Sequence, residues 1–333
     1  MNNPTFKAWR VTEDASGKFH RAITDRTLED LPEGEVTIKV HYAALNYKDA
    51  LSFSGNKGVT RKYPHTPGID GSGTVVASSS SDFKEGDEVM VTSYDLGMNT
   101  DGAFAEYIRV PAEWVIPLPK SMTLQESMII GTAGLTVGIG LYKMEKMGQT
   151  PSMGPIVISG ATGGVGSMAV GILAKAGYEV IASSGKSEMA DYLKSLGANQ
   201  IVDREFINDD SNRPLMKPQW SGAIDTVGGN TLATLIKGCK REGSIAACGL
   251  VSSPVLPTTV FPFILNGVNL IGIDSATFAK EDRLQVWEKL GSDWRLPDMQ
   301  SLTTVCSMSE LEPHIDGMLQ GGSKGRVIVD MIA

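Results

Sequence analysis

Residues 155–166 read Pro155-Ile-Val-Ile-Ser-Gly160-Ala-Thr-Gly163-Gly164-Val-Gly166, and this stretch decides how the centre of the chain folds. A short apolar run, typical of a buried strand, leads into a glycine-rich loop, and a helical pattern follows from Ser167. Glycines let the backbone come close to a pyrophosphate, and the N-terminal end of a helix offers N–H groups and the positive end of its dipole. The stretch therefore predicts a dinucleotide-binding loop.

The pattern after this loop extends the prediction to a whole domain. Strand and helix patterns alternate, and we predict strands at 156–159, 179–182, 200–203, 223–227, 244–248 and 270–273. This alternation is typical of an α/β fold with a doubly wound parallel sheet, the Rossmann arrangement. A helix predicted over 123–144 leads into this domain.

The first part of the chain has a different texture. Short runs of alternating polar and apolar residues predict strands at 35–42, 71–77, 88–92 and 104–110, with turn-forming residues between them. Short strands with frequent turns favour a small barrel or sandwich. The tail is predicted to contain helices near 282–290 and 311–319 and a last strand at 326–331.

The end of the strand that follows the glycine loop indicates which dinucleotide is bound. In NAD sites an Asp or Glu, about 20 residues on, usually accepts a hydrogen bond from the ribose 2′-OH. Here the strand ends in Ser183, Ser184, Gly185 and Lys186, without a carboxylate. Because room, hydroxyl donors and a positive charge suit a 2′-phosphate, we expect NADPH. The alternative is a solvated turn with a surface lysine.

Composition argues against several classes of function. The chain has 333 residues and a net charge of −8, which argues against nonspecific nucleic-acid binding. Its three cysteines, Cys239, Cys248 and Cys306, are too few for a four-cysteine zinc site, and a reducing, cytoplasmic setting is expected. We expect no signal peptide and no membrane span, because the longest uncharged stretch, 147–174, contains prolines and many glycines.

The order of these regions resembles the medium-chain dehydrogenase/reductase superfamily. Its members have a GroES-like β-barrel catalytic domain and a Rossmann doubly wound parallel-sheet domain. The resemblance implies a catalytic domain of residues 1–122 and 276–333 and an NADPH-binding domain of residues 123–275. Short-chain dehydrogenases have a similar glycine loop, but here the loop lies mid-chain behind a separate β-rich region. Their Tyr-x-x-x-Lys mechanism is therefore not expected.

The places where zinc-dependent members hold their metal differ in this chain. Those members carry a cysteine after the first strand region and a Gly-His-Glu motif further on. Here the two places read Leu45–Asp49 and Pro67–Gly73, with no cysteine and with Ile69 in place of the histidine. We therefore expect no catalytic zinc. The nearby His65 is interpreted as a loop or packing residue, and Asp70 as a structural hydrogen-bond acceptor.

Within the zinc-free, quinone oxidoreductase-like branch, the chain is similar to the acryloyl-CoA reductase group of YhdH/YhfP type. The similar segments are Ala44–Leu51, Pro67–Asp70, Gly160–Gly166, Tyr192–Ala198, Ala223–Gly228, Ala246–Leu250 and Pro257–Leu265. The resemblance implies NADPH-dependent reduction of acryloyl-CoA to propanoyl-CoA without zinc. Two alternatives stay open, an NADPH:quinone oxidoreductase and a non-catalytic NADPH-binding protein. A homodimer is also expected by resemblance.

The same resemblance implies roles for individual residues. Tyr47 would face the nicotinamide and act near the reacting centre, and Asn46 would help by amide donation, with a turn asparagine as the alternative. The residues implied around the cofactor are Tyr47, Thr162, Gly163, Gly164, Val165, Ser184, Gly185, Lys186, Leu250, Ile264 and Ser275. For Ile264, ordinary core packing is the alternative.

A basic loop follows the Asn46–Asp49 segment. It contains Lys57, Arg61 and Lys62. Since a CoA thioester carries phosphates, these cations form a hypothetical receiving site for the CoA moiety. The alternative is a solvated surface loop.

Overall fold

Strands and helices succeed one another much as the sequence predicts for the centre of the chain. The computed structural model describes residues 5–332. Its strands are β1 (Thr5–Glu13), β2 (Phe19–Thr27), β3 (Val36–Leu45), β4 (Asp70–Ser78), β5 (Glu88–Thr92), β6 (Tyr107–Val110), β7 (Ile116–Pro117), β8 (Ile156–Ile158), β9 (Val180–Ser183), β10 (Gln200–Val202), β11 (Trp220–Asp225), β12 (Cys239–Ala247), β13 (Asn269–Gly272), β14 (Thr303–Ser307) and β15 (Arg326–Asp330). Its α-helices are α1 (Tyr47–Phe53), α2 (Leu124–Lys146), α3 (Gly164–Lys175), α4 (Ala190–Ser195), α5 (Gly229–Lys237), α6 (Phe261–Asn266), α7 (Lys280–Gly291) and α8 (Leu311–Leu319).

A six-stranded parallel sheet is the framework of the unit formed by Ala133–Ser275 and Glu281–Pro297. Its strand order is β10-β9-β8-β11-β12-β13, and every neighbouring pair is parallel. Counted from β8 this is the order 3-2-1-4-5-6 of a doubly wound dinucleotide-binding domain. The three residues of β8 are fully buried, as expected for a strand covered on both faces. The predicted Rossmann arrangement is confirmed.

The other unit runs up to Thr132 and includes Ala276–Lys280 and the chain from Asp298 onward. Its main sheet has the order β14-β15-β3-β4-β5-β7, with β6 also paired to β3. The chain's last strand, β15, lies antiparallel to β3, so the tail completes the sheet of the N-terminal region. A hairpin of β1 and β2 stands beside this sheet as a separate two-stranded ribbon.

The segment Glu281–Pro297 groups with the Rossmann unit, although the sequence places all of 276–333 with the catalytic domain. The reason lies in α7, where Val286 and Leu290 pack against Gly138 of α2. A Cβ atom at Gly138 would lie 2.6 Å from Val286 Cγ1, so the two helices approach closely. The domain boundaries that the resemblance implies stay a prediction.

The helix α2 contains the change from the first unit to the second, after Thr132. It is interrupted at Gly131, whose φ of 49° and ψ of −158° are not helical. By length and composition α2 could cross a membrane, but 89% of its most apolar stretch is buried in the fold. Such burial is typical of a core helix.

Candidate functional site

The glycine loop joins the end of β8 to the start of α3, as predicted. Gly160 has a φ of +61°, and a Cβ there would lie 2.5 Å from Thr226 Oγ1. A Cβ at Gly166 would lie 2.2 Å from the carbonyl oxygen of Gly160. At Gly163, in contrast, the nearest atom would be 3.5 Å away. The loop is therefore tightly closed at both ends and open in the middle, where a ligand group has room.

The first turn of α3 faces this opening with its backbone donors. Gly163 is the N-cap, Gly164 and Val165 are the first helical residues, and Thr162 before them is buried. The first N–H groups of a helix have no acceptor within the helix. Since α3 is 12 residues long, its dipole adds a positive potential at this end. The predicted residues Thr162–Val165 thus form a cradle that fits a pyrophosphate.

The loop after β11 closes against the glycine loop at the point where the strand order reverses. Thr226 donates its backbone N–H to Ser159 Oγ at 2.9 Å and its hydroxyl to the Ser159 carbonyl at 3.0 Å. Asp225 accepts from Ser159 Oγ at 2.6 Å and from the Gly228 N–H at 2.8 Å. Burial raises the pKa of this Asp225 carboxyl. In open parallel sheets, ligands bind in the crevice at this reversal.

The end of β9 lies beside the end of β10, and a cationic side chain that follows β10 lies next to the loop after β9. Ser184 accepts the Lys186 backbone N–H through its hydroxyl at 3.0 Å, and Lys186 is partly exposed. The exposed Arg204 lies across Gly185, where a Cβ would lie only 2.5 Å from its Nε. Sequence reasoning missed Arg204. The pairing of Ser183 with Val202 indicates it, because Arg204 follows Val202 by two residues at the same sheet edge.

The remaining predicted cofactor residues lie in the second unit with differing exposure. Leu250 follows β12 by three residues and is 64% exposed. Ile264 lies on α6 and is 68% exposed, so core packing does not account for it. Ser275 is partly buried, and its carbonyl oxygen accepts from Arg283 Nη2 at 2.7 Å. Their contact with a cofactor stays a prediction.

In the first unit, Asn46 and Tyr47 lie at the start of α1. Asn46 is the N-cap residue, and its backbone N–H donates to Asp49 Oδ2 at 2.7 Å. Tyr47 is the first helical residue and is 50% exposed, with no hydrogen bond to its hydroxyl among residues 5–332. The phenol is thus available to a ligand. The alternative prediction for Asn46 is an asparagine in a turn, but in the structure Asn46 caps the N-terminus of α1.

A cluster of buried charges lies behind α1. Asp70 is fully buried and accepts from Asn46 Nδ2 at 2.9 Å, from the Thr132 N–H at 2.8 Å and from Thr132 Oγ1 at 2.5 Å. Arg326, 2% exposed, has its Nη2 3.8 Å from Asp70 Oδ2 and donates to Asn46 Oδ1 at 3.2 Å. Asp70 is an acceptor, as the sequence predicts. Both polar ends of the Asn46 side chain are used inside the unit.

Asp49 is a second fully buried carboxyl in this region. It accepts the N–H groups of Asn46 and Ile69 at 2.7 and 2.9 Å. Burial, and to a lesser extent the charge of the neighbouring Asp70, raise the pKa of Asp49 to about 7. Burial also raises the pKa of Asp70, whereas Arg326 lowers it. Sequence reasoning missed Arg326, because no local pattern marks it.

Residues 5–332 contain no group of three or more His, Cys, Asp or Glu side chains that could hold a metal ion. His65 is 3% exposed, and its Nε2 lies 2.9 Å from the Gly97 carbonyl oxygen. A packing role accounts for this histidine.

The basic loop is only partly available to a ligand. Lys57 Nζ forms an ion pair with Glu13 and lies 4.9 Å from the ring centroid of Tyr63. Arg61 and Lys62 are exposed. Of the three cations in the hypothetical receiving site for the CoA moiety, only Arg61 and Lys62 remain candidates.

One Tyr-x-x-x-Lys spacing does occur in the chain, from Tyr142 to Lys146 on α2. The Tyr142 hydroxyl donates to Asp282 Oδ1 at 2.6 Å, and Lys146 Nζ lies 4.1 Å from the ring centroid. Both side chains thus join α2 to α7, which gives them a packing role.

Comparison with known proteins agrees with this geometry. The family model of the alcohol dehydrogenase GroES-like domain matches residues 32–120, and that of zinc-binding dehydrogenases matches residues 164–293. Acrylyl-CoA reductase AcuI of Ruegeria pomeroyi is 43% identical over 98% of this chain and 100% of its own. YhfP of Bacillus subtilis, provisionally named a quinone oxidoreductase, is 46% identical over 91% of this chain and 92% of its own.

Solved structures show the same relationship. The yhdH oxidoreductase of Salmonella enterica in complex with NADP has a TM-score of 0.94 and 39% identity, covering 98% of this chain and 99% of its own. Bacillus subtilis yhfP with NAD bound has a TM-score of 0.96 and 42% identity, covering 98% of this chain and 100% of its own. The chain belongs to the zinc-free, quinone oxidoreductase-like branch of the medium-chain dehydrogenase/reductases, in the group of YhdH, YhfP and AcuI.

Proposed function

We propose that this protein is an NADPH-dependent reductase of the carbon–carbon double bond in a small α,β-unsaturated acyl-CoA, acryloyl-CoA in the first place. The observation that carries the proposal is the full-length match to acrylyl-CoA reductase AcuI. The intact glycine loop and the half-exposed Tyr47 support an active enzyme rather than a binding protein.

The residues present fit NADPH. The open cradle of Thr162, Gly163, Gly164 and Val165 suits the pyrophosphate, since a Cβ at Gly163 would meet only one atom within 4 Å. The hydroxyl of Ser184 and the cations of Lys186 and Arg204 suit the 2′-phosphate. The yhfP structure holds NAD, whereas the yhdH structure of Salmonella enterica holds NADP.

When bound, the reduced nicotinamide supplies a hydride to the β-carbon of the substrate. The π electrons of the double bond then move toward the thioester oxygen, and a proton adds at the α-carbon. The Tyr47 hydroxyl is the donor that we assign to the oxygen on which charge builds, or to the proton delivery. The Asn46 amide serves indirectly, because Asp70 and Arg326 already engage it.

The CoA part of the substrate carries phosphates, and Arg61 and Lys62 are exposed cations of the first unit. We assign them to the CoA moiety. Reversing both charges should raise the KM for acryloyl-CoA about tenfold and leave the KM for NADPH unchanged. An unchanged KM for acryloyl-CoA would exclude this role.

Oxidation of NADPH measured side by side with acryloyl-CoA, crotonyl-CoA and 1,4-benzoquinone tests the reaction. We expect the highest kcat/KM with acryloyl-CoA. A higher value with 1,4-benzoquinone would support the quinone oxidoreductase alternative, and NADPH binding without turnover would support a binding protein. NADH preferred over NADPH would contradict the assignment of Ser184, Lys186 and Arg204.

We further propose that the protein is a cytoplasmic homodimer. Strand β13 is at the edge of the parallel sheet and carries the exposed Leu270, and the preceding segment that forms α6 exposes Val260, Phe261 and Leu265. An open apolar edge invites pairing with a second copy. Its three free cysteines are consistent with a reducing compartment. Sedimentation of the wild type and of Leu270→Glu tests the dimer, and we expect a dimer and a monomer respectively.

A further inference from the structure

The buried charges behind α1 need an explanation beyond folding. Asp70, Arg326 and Asp49 are each at most 2% exposed. Removing a charge from water is costly unless partners compensate it, and a buried ion pair is weak evidence for stability. Fully buried charges of this kind are therefore candidates for a functional role.

The hydrogen bonds of the cluster converge on Asn46. Its Nδ2 donates to Asp70 at 2.9 Å, and its Oδ1 accepts from Arg326 at 3.2 Å. A negative group on one side and a positive group on the other fix which way the amide points. A side chain held by two charges has little freedom to rotate.

Both charged partners are themselves fixed. Arg326 Nε donates to the Ile129 carbonyl oxygen at 2.9 Å, and Asp70 accepts two bonds from Thr132 at 2.8 and 2.5 Å. A Cβ at Gly131 would lie 2.6 Å from Asp70 Oδ2 and 2.8 Å from Arg326 Nη2. The cluster thus fills its space up to the backbone of the interrupted turn in α2.

Asn46 transmits this restraint to Tyr47. It is the N-cap of α1, and Tyr47 is the next residue, with an exposed phenol that no other residue of the described chain holds by a hydrogen bond. We propose that Asp70, Thr132 and Arg326 are positioning residues that hold Asn46 and thereby place the Tyr47 hydroxyl for the reaction. The inference rests on the proposed function for the reaction that it assists.

The test uses Asp70→Asn and Arg326→Lys in the full chain. Asp70→Asn keeps the shape of the side chain but removes the negative charge 3.8 Å from Arg326 Nη2. Arg326→Lys keeps the positive charge but loses the planar, forked set of N–H donors of the guanidinium. We expect kcat with acryloyl-CoA to fall at least tenfold and the KM for NADPH to stay within threefold. The isotope effect with 4-deuterated NADPH should rise, because hydride transfer becomes slower.

Asp101→Asn is the matched control. Asp101 also accepts from two arginines, Arg10 at 2.8 Å and Arg26 at 2.6 Å, but it is not bonded to Asn46 within residues 5–332. We expect it to lower stability and to leave kcat within twofold of the wild type. An equal loss of kcat in the control and in Asp70→Asn would overturn the proposal, since any carboxylate paired with arginine in this unit would then have the same effect.

Hydrogen exchange separates this inference from the proposed function. Asp70→Asn should speed exchange of the backbone amides of 46–50 at least tenfold, and Asp101→Asn should not. If the wild type fails to reduce acryloyl-CoA, the proposed function is wrong, and this exchange difference still decides the positioning role. Unchanged exchange in Asp70→Asn overturns that role.

If Asp70→Asn does not fold, Thr132→Val takes its place, because it removes the hydroxyl that donates to Asp70 at 2.5 Å, together with the 2.7 Å bond between that hydroxyl and Ser93 Oγ. Thr132→Ser keeps this hydroxyl and is the conservative rescue. We expect a fivefold or larger loss of kcat for the valine variant and none for the serine variant. Wild-type kcat in Thr132→Val would refute the proposal.

Discussion

Replacement by alanine should have different effects at two glycines of the same loop. At Gly166 it should lower the Tm, and at Gly163 it should mainly weaken the binding of NADPH. A Cβ at Gly166 would lie 2.2 Å from the Gly160 carbonyl oxygen, more than 1 Å inside the ordinary contact distance of 3.4 Å. The obstacle is backbone, so β8 and α3 would have to separate. Overpacking of this kind costs about 1–3 kcal/mol. At about 2–4 °C per kcal/mol for a unit of this size, the Tm should fall by about 2–12 °C.

Alanine at Gly163 should lower stability much less, by about 0.5 kcal/mol, because alanine is a poorer N-cap residue than glycine. Its φ of −74° and ψ of 174° are open to any residue, and the added Cβ would lie 3.5 Å from the nearest atom. The new methyl would instead occupy the space assigned to the pyrophosphate. We expect the Kd for NADPH to rise at least tenfold, or about 1.4 kcal/mol.

Thermal unfolding and titration of NADPH fluorescence measure the two effects on the same samples. Each variant is the control for the other, because both add a single methyl group to the same loop. Wild-type affinity for NADPH in Gly163→Ala would refute the assignment of this loop to the pyrophosphate. A wild-type Tm in Gly166→Ala would refute the steric argument for the closed end.

Three further outcomes are expected. Arg204→Ala should lower kcat/KM for NADPH about tenfold, because one charge-assisted hydrogen bond is lost, and it should leave kcat/KM for NADH unchanged. An equal loss with both cofactors would exclude a contact of Arg204 with the 2′-phosphate. Tyr47→Phe should lower kcat about 100-fold with the NADPH Kd within twofold, and a wild-type kcat would remove its hydroxyl from the reaction. Because the folded-state pKa of Asp49 is raised to about 7, its stabilising contribution is present at low pH and is lost as pH rises through 7. Urea unfolding should therefore show the wild type losing about 3 kcal/mol relative to Asp49→Asn between pH 5 and 8, most of it below pH 7, and a constant difference would contradict this titration.

The parts that sequence alone predicts well are those whose signals are local. Strand β8, the glycine loop and α3 follow one another directly in the chain. The apolar run, the glycines and the helical pattern therefore predict the strand, the loop and the helix as one unit. The helix at 311–319 and the strand at 88–92 have the predicted bounds for the same reason. Sequence reasoning misses the hairpin of β1 and β2, because β2 has no fully buried residue and lacks the polar–apolar alternation of a half-buried strand.

The cluster around Asn46 in the first unit is different in kind, because its contacts join distant segments. Arg326 meets Asn46 across 280 positions of sequence, and Asp70 meets Thr132 across 62. A nucleotide is bound largely by backbone N–H groups, which a glycine pattern reveals. The charges bonded to Asn46, the residue before Tyr47, are in contrast brought together only when the tail strand β15 returns to β3. Resemblance could therefore name Tyr47 from the sequence, but the reason for its position becomes visible only in the folded chain.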